Sequence, residues 1–197
     1  MGRLKGTETL SNLMKAFAGE SQARNRYTFF ASKAKKEGYV QIQNIFLETA
    51  GNEKEHAEIF YKYMAEELEE GAAMMINVNA DYPVALGDTK SNLINAAAGE
   101  REEWDELYPA FAEVARKEGF ADIAESFTQI SVAEKAHEAR YKKLAANIEQ
   151  GKVFKRFGEI RWKCGNCGYV YEGNEAPQEC PACRHARDYF ELLIENY

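Results

Sequence analysis

The chain has 197 residues, of which 45% are hydrophobic and 29% charged, as in globular proteins that bury a core. Its formal net charge of −7 argues against a nucleic-acid partner. No apolar run approaches the roughly 18 residues of a membrane span and the N-terminus lacks a signal-peptide core, so we expect a cytoplasmic protein with no membrane partner.

Four long segments have the apolar spacing of helices that face a common core. We expect helices near 8–37, 40–70, 89–118 and 121–150. A glycine follows each charged, helix-favouring run at the place where a helix would end, namely Gly38, Gly71, Gly119 and Gly151. The connection 72–88 is too long for a tight turn. The pattern therefore predicts an all-α four-helix bundle with a long crossover between helices two and three.

The helical part contains an internal repeat. Glu-Gly-Tyr at 37–39 recurs as Glu-Gly-Phe, and Glu-Lys-Glu-His at 53–56 recurs as Glu-Lys-Ala-His, both 81 residues later. The Ala-Gly-Glu at 18–20 recurs after 80. Such a duplication predicts two helical hairpins related by pseudo-symmetry. The extra residue falls in the third helix, near Tyr108-Pro109, where a π-bulge would absorb it.

Seven acidic or imidazole side chains lie on the stripes that these helices would turn toward a core. They are Glu20, Glu53, His56, Glu100, Glu103, Glu134 and His137. Burying even one unpaired carboxylate costs several kcal/mol, so five together would unfold a domain of ordinary stability. Bound cations are the simplest way to neutralise them.

The spacing of these residues indicates two metal ions. Each Glu-x-x-His pair places a carboxylate and an imidazole on one helix face, one turn apart. Two such pairs, with a Glu from each remaining helix, form the ligand set of ferritin-like di-iron and di-manganese proteins. Ligation rich in carboxylates favours iron or manganese over thiophilic ions.

Other polar residues near this stripe allow two interpretations. Glu103 has Ala23 as its repeat mate, so it either gives one ion an additional carboxylate or is an extra surface acid. Tyr27 and Tyr108 either hydrogen-bond to ligand carboxylates or are ordinary core aromatics. Four further glutamates lie off the stripe and are expected in solvent, namely Glu55, Glu58, Glu102 and Glu138.

Residues 153–197 differ from the helical part, since they become rich in Gly, Cys and aromatic residues without a helical period. We place the domain boundary after residue 152. The second domain contains two Cys-x-x-Cys pairs separated by 12 residues: Cys164, Cys167, Cys180 and Cys183. This pattern predicts a four-thiolate metal site rather than disulfides. Zinc and iron both accept four thiolates, so the spacing leaves the metal open.

The ordered set of helical glutamates, Glu-x-x-His pairs and terminal cysteine pairs resembles the rubrerythrins over nearly the whole chain. The resemblance implies a ferritin-like di-iron domain over 1–152 and a rubredoxin-like domain with a mononuclear Fe(Cys)4 centre over 153–197. It implies a non-haem peroxidase that reduces hydrogen peroxide to water in oxidative-stress protection. It also implies re-reduction through the Fe(Cys)4 centre by rubredoxin or an NAD(P)H-dependent reductase, and a head-to-tail homodimer or higher homo-oligomer.

The resemblance also implies a role for each helical ligand. Glu53 and Glu134 would bridge the two irons. Glu20 would bind the first iron terminally. Glu100 and His137 would bind the second.

For the last two residues, the resemblance implies an exchange at the first iron. Glu103 would bind when the iron is oxidised, and His56 when it is reduced. The exchange is chemically reasonable, because a ferric ion prefers an anionic oxygen and a ferrous ion accepts a neutral nitrogen more readily.

Two other functions stay open at this point. A ferroxidase or iron-storage protein built on the same bundle would prefer O2 to peroxide and accumulate many irons. The attached cysteine domain argues against it, because storage needs no dedicated electron carrier. A zinc-ribbon interaction module on a structural bundle would instead hold zinc at both sites.

Overall fold

A computed structural model describes residues 3–69 and 72–196. Within them the bundle contains five α-helices: α1 (Glu8–Lys36), α2 (Val40–Ala65), α3 (Thr89–Glu102), α4 (Tyr108–Lys117) and α5 (Ala121–Glu149). A π-helical turn, Glu103–Leu107, joins α3 to α4, so the two form one long element. The main packing is of α1 on α2 and of α3 and α4 on α5, as expected for two hairpins. The predicted four-helix bundle is confirmed.

The π-turn lies where the repeat offset changes from 80 to 81 residues. It is closed by the N–H of Tyr108, which donates to the carbonyl of Glu103 five residues back. A π-turn takes up one extra residue without ending the helix. The helix faces of the two hairpins therefore match on both sides of the insertion, and Tyr108 occupies the place equivalent to Tyr27.

The repeated Glu-Gly-aromatic tripeptides cap helices of the opposite hairpin. The Glu37 carboxylate accepts hydrogen bonds from the N–H and hydroxyl of Thr89, at 2.8 and 2.6 Å, in the first turn of α3. The Glu118 carboxylate accepts the same pair of bonds from Thr9, at 2.8 and 2.5 Å, in the first turn of α1. A negative charge is favourable at a helix N-terminus. Each hairpin thus stabilises the start of the other.

The helices end close to the predicted glycines, with one exception. Gly38 and Gly119 follow their helices with φ of 83° and 88°, a conformation that costs a residue with a Cβ. The second helix was predicted to reach residue 70, but this is wrong, because α2 ends at Ala65. Consecutive acids there oppose the negative end of the helix dipole. The Glu67 carboxylate instead accepts a 2.8 Å bond from the backbone of the N-terminal segment. Gly71 lies outside the described residues.

The crossover follows the bundle as an extended segment without regular structure over residues 72–87. Near its start, Met74 and Ile76 pack on the apolar core. Further on, the Tyr82 hydroxyl donates a 2.9 Å hydrogen bond to the Lys15 carbonyl of α1. The segment therefore lies against α1 on its way to α3.

The core of the bundle consists of two apolar clusters. One contains Leu13, Phe60 and Phe127, and the other contains Phe30 and Phe46. Along every long helix, the predicted metal-ligating glutamate falls between residues of the first cluster and residues of the second. The acids therefore form a polar layer between two apolar ones, shielded from solvent on both sides.

The C-terminal part forms a three-stranded antiparallel sheet. Its strands are β1 (Lys155–Cys164), β2 (Val170–Glu175) and β3 (Phe190–Leu192), in the order β2-β1-β3. Trp162 and Phe190 form its small core with two of the cysteines. The ring of Phe154 stacks on Tyr39 at 6.2 Å between centroids, which attaches this part to the start of α2. In the described residues no helix is both long and apolar enough to cross a membrane.

Candidate metal centres

Six of the seven predicted helical ligands meet in the polar layer. One ligand atom from each of Glu20, Glu53, His56 and Glu134 lies within 4.8 Å of the others. A second group with the same spacing contains Glu53, Glu100, Glu134 and His137. The two groups share Glu53 and Glu134, so they are adjacent four-ligand sites with a common edge.

Each shared carboxylate directs its two oxygens toward different histidines. Glu134 Oε1 lies 2.8 Å from His56 Nδ1, and its Oε2 lies 2.7 Å from His137 Nδ1. Glu53 Oε2 lies 3.3 Å from His56 Nδ1, and Glu53 Oε1 lies 3.3 Å from His137 Nδ1. This is the arrangement of carboxylates that bridge a pair of ions.

Two buried tyrosines orient the unshared carboxylates across the pseudo-symmetry. Tyr27 of α1 donates a 2.5 Å hydrogen bond to Glu100 Oε1 of α3. Tyr108 at the start of α4 donates to Glu20 Oε1 of α1. Burial, together with nearby carboxylates, raises the pKa of both phenols well above the usual range, so both keep their proton. Each tyrosine leaves the second oxygen of its carboxylate free for another partner.

The electrostatics of the cluster also favour bound cations. Burial and then the charge of neighbouring glutamates raise the pKa of Glu20 and Glu100 well above the usual range. Burial acts to lower the pKa of His56 and His137, but the hydrogen bonds that they donate to carboxylates raise the pKa values to about 9 and about 12. Without a metal, Glu20, Glu100 and both histidines would thus tend to keep their protons, because the acids lie too close together to ionise at once.

The hydrogen bonding of the cluster is incomplete as well. Buried atoms without a well-formed hydrogen bond include both oxygens of Glu134 and one each of Glu20, Glu53 and Glu100. Buried polar atoms are normally satisfied, and each exception needs an explanation. Hard, oxygen-preferring cations account for this set, so the residues fit a di-metal centre.

Glu103 is the seventh predicted ligand, and the structure does not bring it into either group. Its side chain is only partly buried, at the first residue of the π-turn. It lines a cavity of about 200 Å³ with Arg26 and Tyr82. Burial, followed by the charges of Glu100 and Glu134, raises the pKa of Glu103 well above the usual range. The carboxyl therefore still interacts electrostatically with the cluster. In this conformation His56, not Glu103, completes the first site.

Glu138 was expected in solvent, and this is wrong, because the residue is only 5% exposed. Its carboxylate accepts a 2.7 Å hydrogen bond from the indole N–H of Trp104 and pairs with Lys142. The Lys135 ammonium lies 4.6 Å from the centre of the Trp104 ring. The Trp104–Glu138 hydrogen bond fixes the π-turn to α5. Trp104 directly follows Glu103 in the chain, and Glu138 directly follows His137. The i,i+4 Glu-Lys pair was visible in the sequence, but the tryptophan partner was not.

The four cysteines form a second site, in the C-terminal sheet. Their sulfurs lie within 4.8 Å of one another, with Sγ–Sγ distances of 3.8 Å for Cys164–Cys183 and 3.7 Å for Cys167–Cys180. A disulfide would need about 2.05 Å. A tetrahedron with metal–sulfur bonds of about 2.3 Å has edges of about 3.8 Å. The cysteines are therefore placed to hold one metal ion.

Both Cys-x-x-Cys knuckles have the same backbone. The residue after the second cysteine adopts a positive φ in each, 80° at Gly168 and 62° at Arg184. The N–H of the residue two beyond that cysteine is directed at its sulfur. This bond from His185 lowers the pKa of Cys183 to about 6. The bond from Tyr169 also acts to lower the pKa of Cys167, but hydrogen bonds with the neighbouring thiols and burial outweigh it and raise that pKa to about 12. Such bonds favour the thiolate that a metal needs.

The fold and the two ligand sets define a ferritin-like di-metal carboxylate protein with an appended four-cysteine metal domain. The family model described as Rubrerythrin matches residues 11–145, and the one described as Rubrerythrin, rubredoxin-like domain matches 162–191. The chain belongs to the rubrerythrin family.

Curated relatives match over the full length. The chain is 58% identical to rubrerythrin-1 of Clostridium acetobutylicum over 198 residues, covering 100% of both chains. It is 49% identical to the rubrerythrin of Nitratidesulfovibrio vulgaris, again over 198 residues and 100% of both. Because the matched regions span both domains, the likeness covers the whole arrangement of domains.

Solved structures agree at the level of fold. A mixed-valence state of nigerythrin matches with a TM-score of 0.62 and 33% identity, covering 95% of this chain and 87% of that one. A Desulfovibrio desulfuricans bacterioferritin matches with a TM-score of 0.63, covering 74% and 82%. Its identity is 21%, so it shows the ferritin-like fold alone.

Family membership identifies the cofactors. The carboxylate and histidine cluster is a di-iron site, and the four cysteines hold a mononuclear iron. This favours iron over zinc at the cysteine site, where spacing alone left the metal open. The relatives also make the chain an oxidoreductase.

Proposed function

We propose that this protein is a peroxidase that reduces hydrogen peroxide to two molecules of water, consuming two electrons and two protons. The helical domain, residues 1–152, would carry the reaction, and the cysteine domain, residues 153–197, would return the electrons. The irons supply the redox chemistry when bound, two electrons from the pair and one at a time from the cysteine site. The observation that carries the proposal is the pair of shared carboxylates, each facing both histidines.

In this proposal the helical ligands have three roles. Glu53 and Glu134 would be shared by the two metal positions, because each directs one oxygen to either side. Glu20 is terminal at the first position. Glu100 and His137 are terminal at the second, where they lie 3.5 Å apart.

Glu103 and His56 are the exchangeable pair at the first position. The structure holds His56 close to Glu134 and leaves Glu103 at the cavity, which is the arrangement proposed for the reduced protein. On oxidation, Glu103 would enter and His56 would withdraw, since the higher charge favours an anionic oxygen.

Tyr27 and Tyr108 hold the terminal carboxylates and keep protons beside the metal positions. Both phenols stay protonated, and each hydroxyl donates to one carboxylate oxygen. Peroxide reduction needs two protons, and these hydroxyls would pass them on only by relay, each taking up a proton as it gives one, because their raised pKa values disfavour the phenolate. The apolar clusters on both sides exclude bulk water, so proton delivery depends on such fixed groups.

The cysteine site is separated from the helical cluster along the length of α2. Within one chain it lies beside the start of α2, where Gly165 and Gln43 line the same cleft. Glu53 is ten residues further along α2, which is about 15 Å at 1.5 Å per residue. We propose that a head-to-tail homodimer or higher homo-oligomer shortens this path. The electron donor would be rubredoxin or an NAD(P)H-dependent reductase, in the cytoplasm, where thiols stay reduced.

The test is an anaerobic reaction of the iron-loaded, reduced protein with one equivalent of hydrogen peroxide, followed by absorbance. The proposal predicts rapid oxidation by peroxide, and many turnovers when a donor is present. Cys167→Ser is the matched control, because it should keep the single oxidation and lose the repeated turnover. Absence of turnover with every donor, or faster oxidation by O2 with uptake of far more than three irons per chain, would favour the ferroxidase or storage alternative.

A further inference from the structure

Arg26 of α1 is a buried cation that the ligand scheme does not use. Its side chain is 9% exposed, and its Nε donates a 2.6 Å hydrogen bond to Gln22. Its Nη1 is buried and has no hydrogen-bond partner. Within the described part of the chain the guanidinium forms no ion pair. Since arginine does not lose its charge in proteins, this positive charge acts on whatever shares its surroundings.

The group that shares its surroundings is Glu103. Both side chains line the cavity of about 200 Å³ between α1, α3 and the crossover, which Tyr82 and Pro83 partly cover. Burial and the neighbouring acids raise the pKa of Glu103, and the charge of Arg26 acts in the opposite direction. The guanidinium therefore favours the ionised form of the Glu103 carboxyl across the shared cavity, without a direct ion pair.

The repeated glycines make room for both groups. A Cβ on Gly19 would lie 3.7 Å from Glu103 Oε1, and one on its repeat mate Gly99 would lie 3.5 Å from Arg26 Nη2. The carboxylate from the π-turn thus lies against α1, while the guanidinium from α1 lies against α3. Glu103 beside Gly19 and Arg26 beside Gly99 occupy corresponding places but carry opposite charges when ionised, so the pseudo-symmetry is broken there.

We propose that Arg26 is a positioning residue that holds the Glu103 carboxylate in this cavity, away from the metal positions. It thereby sets the balance between Glu103 and His56 at the first iron. The inference rests on the proposed di-iron chemistry and assigns Arg26 no contact with metal or substrate. Loss of the positive charge makes withdrawal less favourable, so Glu103 enters more readily and the ferric state gains stability relative to the ferrous state.

The test compares Arg26→Gln with the unaltered full-length protein, both loaded with ferrous iron. Iron content and the midpoint potential of the di-iron site are measured by metal analysis and anaerobic redox titration. We expect two helical irons to remain bound and the ferric-to-ferrous preference to rise about tenfold, a midpoint about 59 mV lower for a one-electron step. Arg26→Lys keeps the charge and should recover most of the shift.

A second pair of variants distinguishes an effect of Arg26 on the position of Glu103 from a direct effect of its charge on the midpoint potential of the irons. In a Glu103→Gln background, adding Arg26→Gln should leave the midpoint unchanged, because the carboxylate on which Arg26 acts is gone. A full shift in that background overturns the inference, as does an unchanged midpoint in Arg26→Gln alone. If that variant does not fold, Arg26→Met replaces it, because an unbranched apolar side chain removes the charge without placing a polar group in the buried site. Failure of the unaltered protein to bind two helical irons would defeat the proposed function as well.

Discussion

Glu37→Ala removes the carboxylate that caps α3 from the other hairpin. The side chain is 27% exposed and accepts bonds from the N–H and hydroxyl of Thr89, a residue with no solvent exposure. Leaving buried donors unsatisfied costs about 1–3 kcal/mol, and a capping side chain contributes about 1. We therefore expect the free energy of unfolding to fall by about 2 kcal/mol.

The measurement is urea unfolding followed by far-ultraviolet circular dichroism at equal iron content. Glu113→Ala is the matched control, because Glu113 is exposed on α4 and pairs with Lys117 one turn away. Surface pairs of this kind contribute little. An equal loss of stability in the two variants would refute the capping argument. Glu118→Ala should cost an amount comparable to Glu37→Ala, since Glu118 makes the equivalent bonds to Thr9, which is as fully buried as Thr89.

The pH dependence gives the same prediction a second test. Burial acts to raise the pKa of Glu37, but hydrogen bonds from Thr89 and Lys33 outweigh it and leave the pKa below its ordinary value. A carboxyl whose pKa is lower in the folded state stabilises above its unfolded pKa, about 4.3, and loses this contribution as pH falls through the folded pKa. The stability difference between Glu37→Ala and the unaltered protein should therefore be full at pH 7 and shrink below about pH 4. A difference that grows on acidification would contradict the assignment.

Three further changes test other parts of the molecule. Glu134→Ala should cost iron at both helical positions because a shared ligand is lost, and metal analysis showing two irons retained would exclude bridging. Trp104→Phe leaves the buried Glu138 carboxylate without its indole donor, so urea unfolding should show a loss of about 1–2 kcal/mol. Arg184→Gly relieves a positive φ and should stabilise the cysteine domain by about 1 kcal/mol, measured as slower thermal bleaching of the ferric-thiolate colour; faster bleaching would argue against strain.

The sequence predicted the part of the centre that periodicity controls. Carboxylates such as Glu53 and Glu134 interrupt apolar stripes at helical spacing, so their inward direction follows from the helix alone. The π-turn was also predictable, because an offset that grows from 80 to 81 residues requires one extra residue in the third helix. The cysteine spacing likewise specified four convergent sulfurs without specifying the strands that carry them.

The rest depends on tertiary contacts that periodicity does not encode. The direction of the Glu103 side chain is set by its place at the start of the π-turn and by the cavity beside it. A regular helical spacing predicts that the side chain points at the metal positions, because it takes no account of the π-turn. Glu138 is buried because Trp104 reaches it from the π-turn, a contact between elements 34 residues apart in the chain. The early end of α2 reflects a competing use of Glu67, which binds the N-terminal segment instead of continuing the helix.

The reciprocal caps have a consequence for how the helical domain can come apart. A hairpin that detached would remove the glutamate that caps the first helix of the other hairpin. It would also remove the tyrosine that hydrogen-bonds to a ligand carboxylate of the other hairpin. Partial opening into one intact hairpin and one loose one is therefore disfavoured, and the two halves should melt together. Because the crossover also packs on α1, a chain cut within it would be expected to reassemble from its two pieces.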